Sequence, residues 1–209
     1  MPLKDKKNNQ TRSSLNDNIL NYEFYDRSTI KVAKELLGKL LVHRKNGKLL
    51  SGIIVETEAY LGKDDPASHA SLRKTPRNSV MFERSGLSYV YFIYGNHFCF
   101  NVVAHPEKFA GAVLIRALEP VDGIRQMKLN RNKNEIKDLT NGPGKLTQAL
   151  NINREHNGID LVKSSLYICD TAGTIIEKDI VKTTRIGISE AKELPLRFYI
   201  KNNHFISKK

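Results

Sequence analysis

The sequence contains no tryptophan and only two cysteines, Cys99 and Cys169, among 209 residues. Two thiols cannot build a disulfide framework, so a reducing, intracellular setting fits. Metal-ligand spacing is missing as well. The His and Cys positions give no CxxC, no HxxxH and no HxE followed by PCxxC, the close pairs from which zinc sites are normally made. That argues against a structural or catalytic metal, and against a zinc-dependent base deaminase. The GxxxxGK[ST] pattern of a P-loop is absent too. No apolar run approaches the ~20 residues needed to cross a bilayer. The opening stretch MPLKDKKNNQTRSSLNDN lacks the apolar core of a secretory signal. Acidic residues are in deficit, 22 against 34 basic, for a formal net charge of +12. Such an excess points to a polyanion such as nucleic acid, or to an anionic membrane surface. A solvated basic surface is the bland alternative.

What is present reads as one domain behind a flexible basic tail. Residues 1–18 are rich in Lys, Asn and Ser, and residues 19–209 carry the apolar patterning. STIKVAKELLG predicts a helix, with Ser28 able to cap its start and Gly38 suited to its stop. KLLVHRKNGKLLSGIIVETEAYL predicts two strands around an Asn46-Gly47 hairpin turn, because both residues tolerate positive φ. DDPASHASLRKTPRNS is polar and turn-prone and predicts a long basic loop. Tyr89–Val103 and 111–117 predict strands, VDGIRQMKLNRN a helix, and LTNGPGKLTQALNI a loop entering a short helix. Residues 166–169 and 184–188 are further strand candidates, and LRFYIKN a last one. The elements do not alternate strictly, which favours an α+β fold on a mostly antiparallel sheet.

Three stretches could carry chemistry. In VETEAY, strand alternation puts Glu56 and Glu58 on one face. The apolar GIIV before them leaves two options, a carboxylate held against a core or pocket floor, or a strand edge with two solvated glutamates. His69, on the loop after Tyr60, could be a base, a metal ligand, a stacking plane or an uninvolved side chain. YVYFIYGNHFCFN holds six of the sixteen aromatic residues. Alternation puts Tyr89, Tyr91 and Ile93 on one face and Val90, Phe92 and Tyr94 on the other. Phe92, Phe98 and Phe100 read as core, while a Tyr-rich face more often lines a cleft. Tyr94-Gly95 should end or bend the strand and expose Tyr94 at a tip. Cations surround these stretches: Arg73, Lys74, Arg77 and Arg84 in the loop, Arg116 in AVLIRALEP, and Lys145 in GPGKL, where exposed amides could hold a phosphate.

Taken in order, VETEAYLG, D-x-A-x-HA, TPRN-x-x-MF, YVYxIYGxxFCxN, VLIRALEP, GPGKL and PLRFY resemble the alkyladenine class of 3-methyladenine DNA glycosylases. The resemblance runs from about Leu20 to Ser207. It implies a single α+β domain on a curved antiparallel sheet surrounded by helices. It also implies an intracellular monomer, cytoplasmic or nucleoid in a bacterium and nuclear in a eukaryote. The substrate would be double-stranded DNA containing damaged purines, with no cofactor, no metal and no membrane. By the resemblance Glu58 is the general base that activates water, and Arg116 stands near the target backbone and that water. Tyr60, His69 and Tyr91 sandwich the flipped base, Asn101 screens its exocyclic groups, and Tyr94 is the wedge in the duplex. Arg73, Lys74, Arg77 and Lys145 are candidates for DNA backbone contact. The chain departs from some members at Asn96 and His97 beside the wedge, and in the loop 71–74.

Elementary chemistry is compatible with such an enzyme. Glycosidic cleavage needs a carboxylate to direct water and usually a second group to protonate the leaving group. An alkylated purine already carries positive charge and leaves with little acid help. Stacking on aromatic rings contributes about 1–3 kcal/mol per base, comparable with the few kcal/mol of flipping. The main rival is a non-catalytic nucleic-acid binder that uses Tyr91 and Tyr94 as a stacking platform. A carboxylate in an anion-binding cleft favours the enzyme.

Overall fold

The computed structural model describes residues 18–208 apart from 94, 96, 108, 172 and 174. Among these residues the backbone forms an eight-stranded antiparallel sheet with four α-helices against it. The first hairpin joins β1 (Leu40–Lys45) to β2 (Lys48–Tyr60) through Asn46 and Gly47, whose φ angles of 50° and 73° are those the two-residue turn requires. The thirteen-residue β2 is the spine. Its first half pairs with β1, and β1 with β6 (Leu166–Cys169). Its second half pairs with β8 (Arg197–Ile200), and β8 with β7 (Ile180–Thr183). On its other edge β2 pairs with β5 (Ala112–Pro120), followed outward by β4 (His97–Val103) and β3 (Ser88–Ile93). The pairing of β2 with β5 shifts register at Glu56, the irregularity expected of a bulge.

Alternation along these strands makes two unlike faces. Thr57 and Ala59 of β2, Val90 of β3, Phe100 and Val102 of β4, and Val113 and Ile115 of β5 all point into the main core. There they meet α2 (Thr29–Glu35) and α4 (Pro143–Ala149), with Val32, Ala33, Leu36, Leu146 and Ala149 fully buried. Each buried Val or Leu there stabilises the fold by about 1.5–3 kcal/mol. The opposite face carries Glu56, Glu58 and Tyr60 of β2, Tyr89 and Tyr91 of β3, Cys99 and Asn101 of β4, and Leu114 and Arg116 of β5. Buried charge and aromatic rings concentrate here.

Several expectations need revising. Ser28 occupies the N-cap of α2, but its side chain makes no capping hydrogen bond. Instead Thr29 Oγ1 donates to Ala104 O at 2.7 Å. The stretch 89–103 is a hairpin of two strands, and Gly95, at φ 73°, lies in the turn between them. Phe92 is not core: it is 41% exposed and rests against Phe98. The predicted strand at 184–188 is a loop, and the strand falls four residues earlier, at β7. The short helix α1 (Tyr22–Tyr25), capped by the Asn21 side chain, carried no periodicity to announce it. The helix in VDGIRQMKLNRN is α3 (Ile124–Arg131). Residues 1–17 of the expected tail lie outside the described residues, whereas Asn18 is already tied to the sheet, its carbonyl accepting from Asp170 N at 2.7 Å.

Candidate active site

On the charged face a cavity of about 730 Å³ opens between β3–β5, the loop 61–70 and the loop 184–190. Small-molecule pockets typically measure about 300–1,000 Å³. Its lining brings together Tyr60, His69, Tyr91, Asn101, Arg116 and Lys145, six of the candidates named above.

Glu58, the candidate base, is fully buried. One carboxylate oxygen, Oε2, accepts from the Tyr60 hydroxyl at 2.9 Å and from Arg116 Nη1 at 3.2 Å. The other, Oε1, accepts from the backbone amide of Ile186 at 2.8 Å. Tyr60, Arg116 and Ile186 all line the cavity, so the carboxylate sits just behind the wall that they form. A carboxylate oxygen has two lone pairs. These three donors occupy both on Oε2 and leave one on Oε1. Burial lowers the pKa of the Arg116 guanidinium, but the carboxylates of Glu58 and Glu56 more than offset it, and the net shift is upward. Burial and the adjacent Glu58 charge also push the Tyr60 hydroxyl above its ordinary range, so it stays a donor.

The aromatic walls follow from β3. Tyr91 and Tyr89 stand two residues apart on one face, ring centres 5.2 Å apart. The His69 ring meets Tyr91 nearly edge-on at 4.7 Å, and its Nδ1 lies 2.9 Å from the Tyr89 hydroxyl. Partial desolvation and the charge of Arg77 lower the pKa of His69, although the residue keeps more than a third of its surface open. The neutral imidazole is therefore favoured at neutral pH. Burial, then the Cys99 thiol, raises the pKa of Tyr91, and burial pushes that of Tyr89 up to about 12. Asn101 is buried, its Nδ2 donating to Tyr89 O at 3.0 Å.

The cations divide. Arg73 and Arg77 are exposed, with the Arg77 guanidinium 5.3 Å from the centre of the Tyr91 ring. Among the described residues neither has a carboxylate within ion-pair distance. Lys74 is already engaged with Glu83 at 2.8 Å, and Arg84 with Asp160 at 2.7 Å. Lys145 Nζ donates to Asn141 Oδ1 at 2.7 Å on the cavity rim. Tyr94 and Asn96 lie outside the described residues. Among the described residues no cluster of His, Cys, Asp or Glu could hold a metal ion, and no helix is long and apolar enough to cross a membrane.

Residues 23–204 match the family model described as Methylpurine-DNA glycosylase (MPG). The chain belongs to the methylpurine-DNA glycosylase family. It is 56% identical over 183 residues to a protein of Francisella tularensis, covering 87% of this chain and 94% of that one. It is 51% identical over 188 residues to a protein of Prosthecochloris aestuarii, covering 89% of each. A third relative, from Carboxydothermus hydrogenoformans, is 51% identical over 191 residues, 91% of this chain and the whole of that one. All three are provisionally named 3-methyladenine DNA glycosylase. The match therefore takes in every residue that lines the cavity.

Sequence reasoning passed over four members of this face. Arg197, within the PLRFY motif, donates through Nε to Glu56 Oε1 at 2.7 Å. Asp65, the Asp of the D-x-A-x-HA motif, makes a buried ion pair with Arg185. Ile186 contributes a backbone amide, which no side-chain pattern advertises. Arg131, at the end of α3, lines the cavity.

Proposed function

We propose that this protein is a monofunctional DNA-3-methyladenine glycosylase that acts on duplex DNA containing alkylated or deaminated purines. It flips the damaged nucleotide into the cavity and hydrolyses the N-glycosidic bond with a water activated by Glu58. The products are a free base and an abasic site. The observation that carries this reading is the Glu58 carboxylate, completely buried behind an aromatic cavity in a +12 protein. Three donors hold it in one orientation, and one lone pair is left unclaimed. A protein that only bound DNA would gain nothing from that negative charge.

In this reading the free lone pair of Oε1 takes the proton of the attacking water. The water oxygen bonds to the sugar C1′ while the C1′–N bond electrons leave with the base. A cationic alkylated purine departs neutral, so no acid is required. Arg116 holds Oε2 and offsets the charge of Glu56 and Glu58, leaving Glu58 as the base nearest the water. Because Glu58 is enclosed in the free protein, water reaches Oε1 only when the wall of Tyr60, Arg116 and Ile186 yields slightly. His69 must likewise move off the Tyr91 ring for a purine to enter between them. Both shifts fit a step driven by substrate entry. Tyr60, His69 and Tyr91 then flank the base, at order of 1 kcal/mol per contact for a cationic ring. Asn101 screens its exocyclic groups. Tyr94 fills the vacated stack, so Tyr94→Ser should slow release from duplex far more than from single strands. Arg73, Lys74, Arg77 and Lys145 contact the backbone, and the protein works as a monomer.

The test is incubation of the protein with duplex DNA carrying 3-methyladenine, ethenoadenine or hypoxanthine in the presence of EDTA, then alkali to cut abasic sites. Strand breaks at the lesion after alkali, and none before it, are expected. Breaks without alkali would overturn monofunctional action, and no release of any of the three would overturn the reading.

A further inference from the structure

We propose that Asp65 and Arg185 form a positioning pair that sets the Glu58 carboxylate and the Tyr60 ring; the proposal rests on the reading of Glu58 as the base. The pair is bidentate, with Arg185 Nη1 on Asp65 Oδ2 at 2.5 Å and Nη2 on Oδ1 at 2.7 Å. Neither side chain has any exposed surface. Arg185 has no contact with the cavity; it acts through its neighbours.

Two loops flank the cavity, and this pair closes both. On one side Asp65 organises the loop that presents His69. Its Oδ2 accepts from Leu61 N at 3.1 Å, its Oδ1 from Ala67 N at 3.2 Å, and its carbonyl from Ser68 N at 2.8 Å. On the other side Arg185 immediately precedes Ile186, whose amide holds Glu58 Oε1. Arg185 Nη1 also donates to Ala59 O at 3.0 Å, between Glu58 and Tyr60 on β2, and its guanidinium lies 4.7 Å over the Tyr60 ring. One guanidinium therefore fixes the backbone of the base-bearing strand, the wall ring and the amide donor. Its Nε has no hydrogen-bond partner. Burying an incompletely satisfied guanidinium is unfavourable, and an apolar pair would often serve stability as well. Orientation of the site is the function that an apolar pair would not supply. A misplacement of about 1 Å at a reacting group can cost on the order of a hundredfold in rate.

The experiment is single-turnover release of 3-methyladenine from methylated duplex at saturating protein, with duplex affinity and melting temperature measured in parallel. Asp65→Asn is expected to lower the saturating rate about tenfold to a hundredfold and leave affinity within about threefold. Arg185→Lys should restore part of the rate lost in Arg185→Gln. Asp65→Asn with Arg185→Gln should be no slower than the worse single variant, because the two act as one unit. A saturating rate equal to wild type, or faster, with only the melting temperature changed, would overturn the proposal. Replacing the Ile186 amide by an ester keeps the pair and removes only the donor to Oε1, so it serves even if Asp65→Asn does not fold. An unchanged rate in the ester would also overturn it. Wild type that releases no base from any substrate would sink the reading of Glu58. An active wild type matched by its variants would sink the pair alone.

Discussion

Glu56 and Glu58 stand two residues apart on the same face of the same strand, and both are fully buried. Their surroundings differ. Glu56 Oε1 accepts from Arg116 Nε at 3.1 Å, Arg197 Nε at 2.7 Å and Ser207 Oγ at 2.8 Å, while Oε2 accepts from Ser207 N at 2.5 Å. Two guanidiniums and the chain near its end enclose it, and the Arg197 guanidinium is itself fastened to Lys208 O. Glu58 shares one of those guanidiniums and otherwise has only a phenol and an amide, all three at the edge of the cavity. Charge balance from two guanidiniums, with Arg116 alone among its partners in the cavity lining, makes Glu56 a structural anion that fixes Arg116. Spare capacity beside a cavity makes Glu58 the candidate base. Identical residue type, face and burial thus support opposite assignments, and the partner list decides between them.

The strongest way to break this comparison is to neutralise each carboxylate in turn. Glu58→Gln should lower single-turnover base release by about a thousandfold or more, within the range of a lost general base, while lesion-DNA affinity stays within about tenfold. Release at the wild-type rate would transfer the role elsewhere, with Glu56 the next candidate. Glu56→Gln should act mainly on stability. It leaves Arg197 buried without its counter-charge and Arg116 with Glu58 alone, an imbalance of about 3 kcal/mol or more, seen as a lowered denaturation midpoint. Its residual rate should exceed that of Glu58→Gln. The reverse order of rates would exchange the two assignments.

A smaller effect separates buried arginines from exposed ones. Arg116, Arg185 and Arg197 are committed to carboxylates, whereas Arg73 and Arg77 are not. Each cation that neutralises a phosphate adds about −0.9 to the log–log salt slope. Four contacts from Arg73, Lys74, Arg77 and Lys145 would weaken duplex binding about tenfold when salt is doubled. Removing Arg73 should flatten the measured slope, and Lys74→Ala should flatten it less, because Glu83 already engages Lys74. A slope near zero in wild type would remove the electrostatic footprint.

Much of this face was legible because local rules governed it. Alternation put Glu56 with Glu58 and Tyr89 with Tyr91, and the Asn46-Gly47 turn set the register of β1 on β2. Rules of that kind fail where a distant partner decides. TTRIGI has the β-branched alternation of a strand. Yet β8 offers its pairing edge to residues 180–183, and the Asp65 carboxylate, 120 residues away in sequence, turns Arg185 inward. Phe92 read as core because it is aromatic on a strand, but β3 is the outermost strand on its side of the sheet. The Ile186 amide leaves no side-chain trace at all.

The smallest expected effect contrasts the ionised network with a buried neutral one. His43 and His156 pack ring to ring at 4.8 Å, both almost without exposure. His43 Nδ1 lies 2.7 Å from Leu150 O and must donate to it, so His43 Nε2 is an acceptor. His156 Nε2, 3.3 Å away, then donates to it, and His156 Nδ1 accepts from Asn153 N at 3.1 Å. In this arrangement both rings are neutral, and a proton added to His43 Nε2 would set donor against donor, whereas one added to His156 Nδ1 would lose the Asn153 amide but face Asn153 Oδ1, 2.9 Å away. Burial lowers the pKa of each, with Lys45 adding to the effect on both, His43 lowering that of His156, and the Leu150 and Asn153 contacts and Glu155 opposing it. The sign follows from linkage: the unfolded chain binds protons that the folded chain refuses. This contribution is complete above the unfolded value of about 6.5 and is lost as pH falls from there toward the lower folded values. The melting temperature should therefore drop between pH 7.5 and 5.5. His156→Gln should lower stability at pH 7.5, through the lost hydrogen bonds, and reduce that drop. An equal drop in variant and wild type would show that the acid sensitivity lies outside the histidine pair.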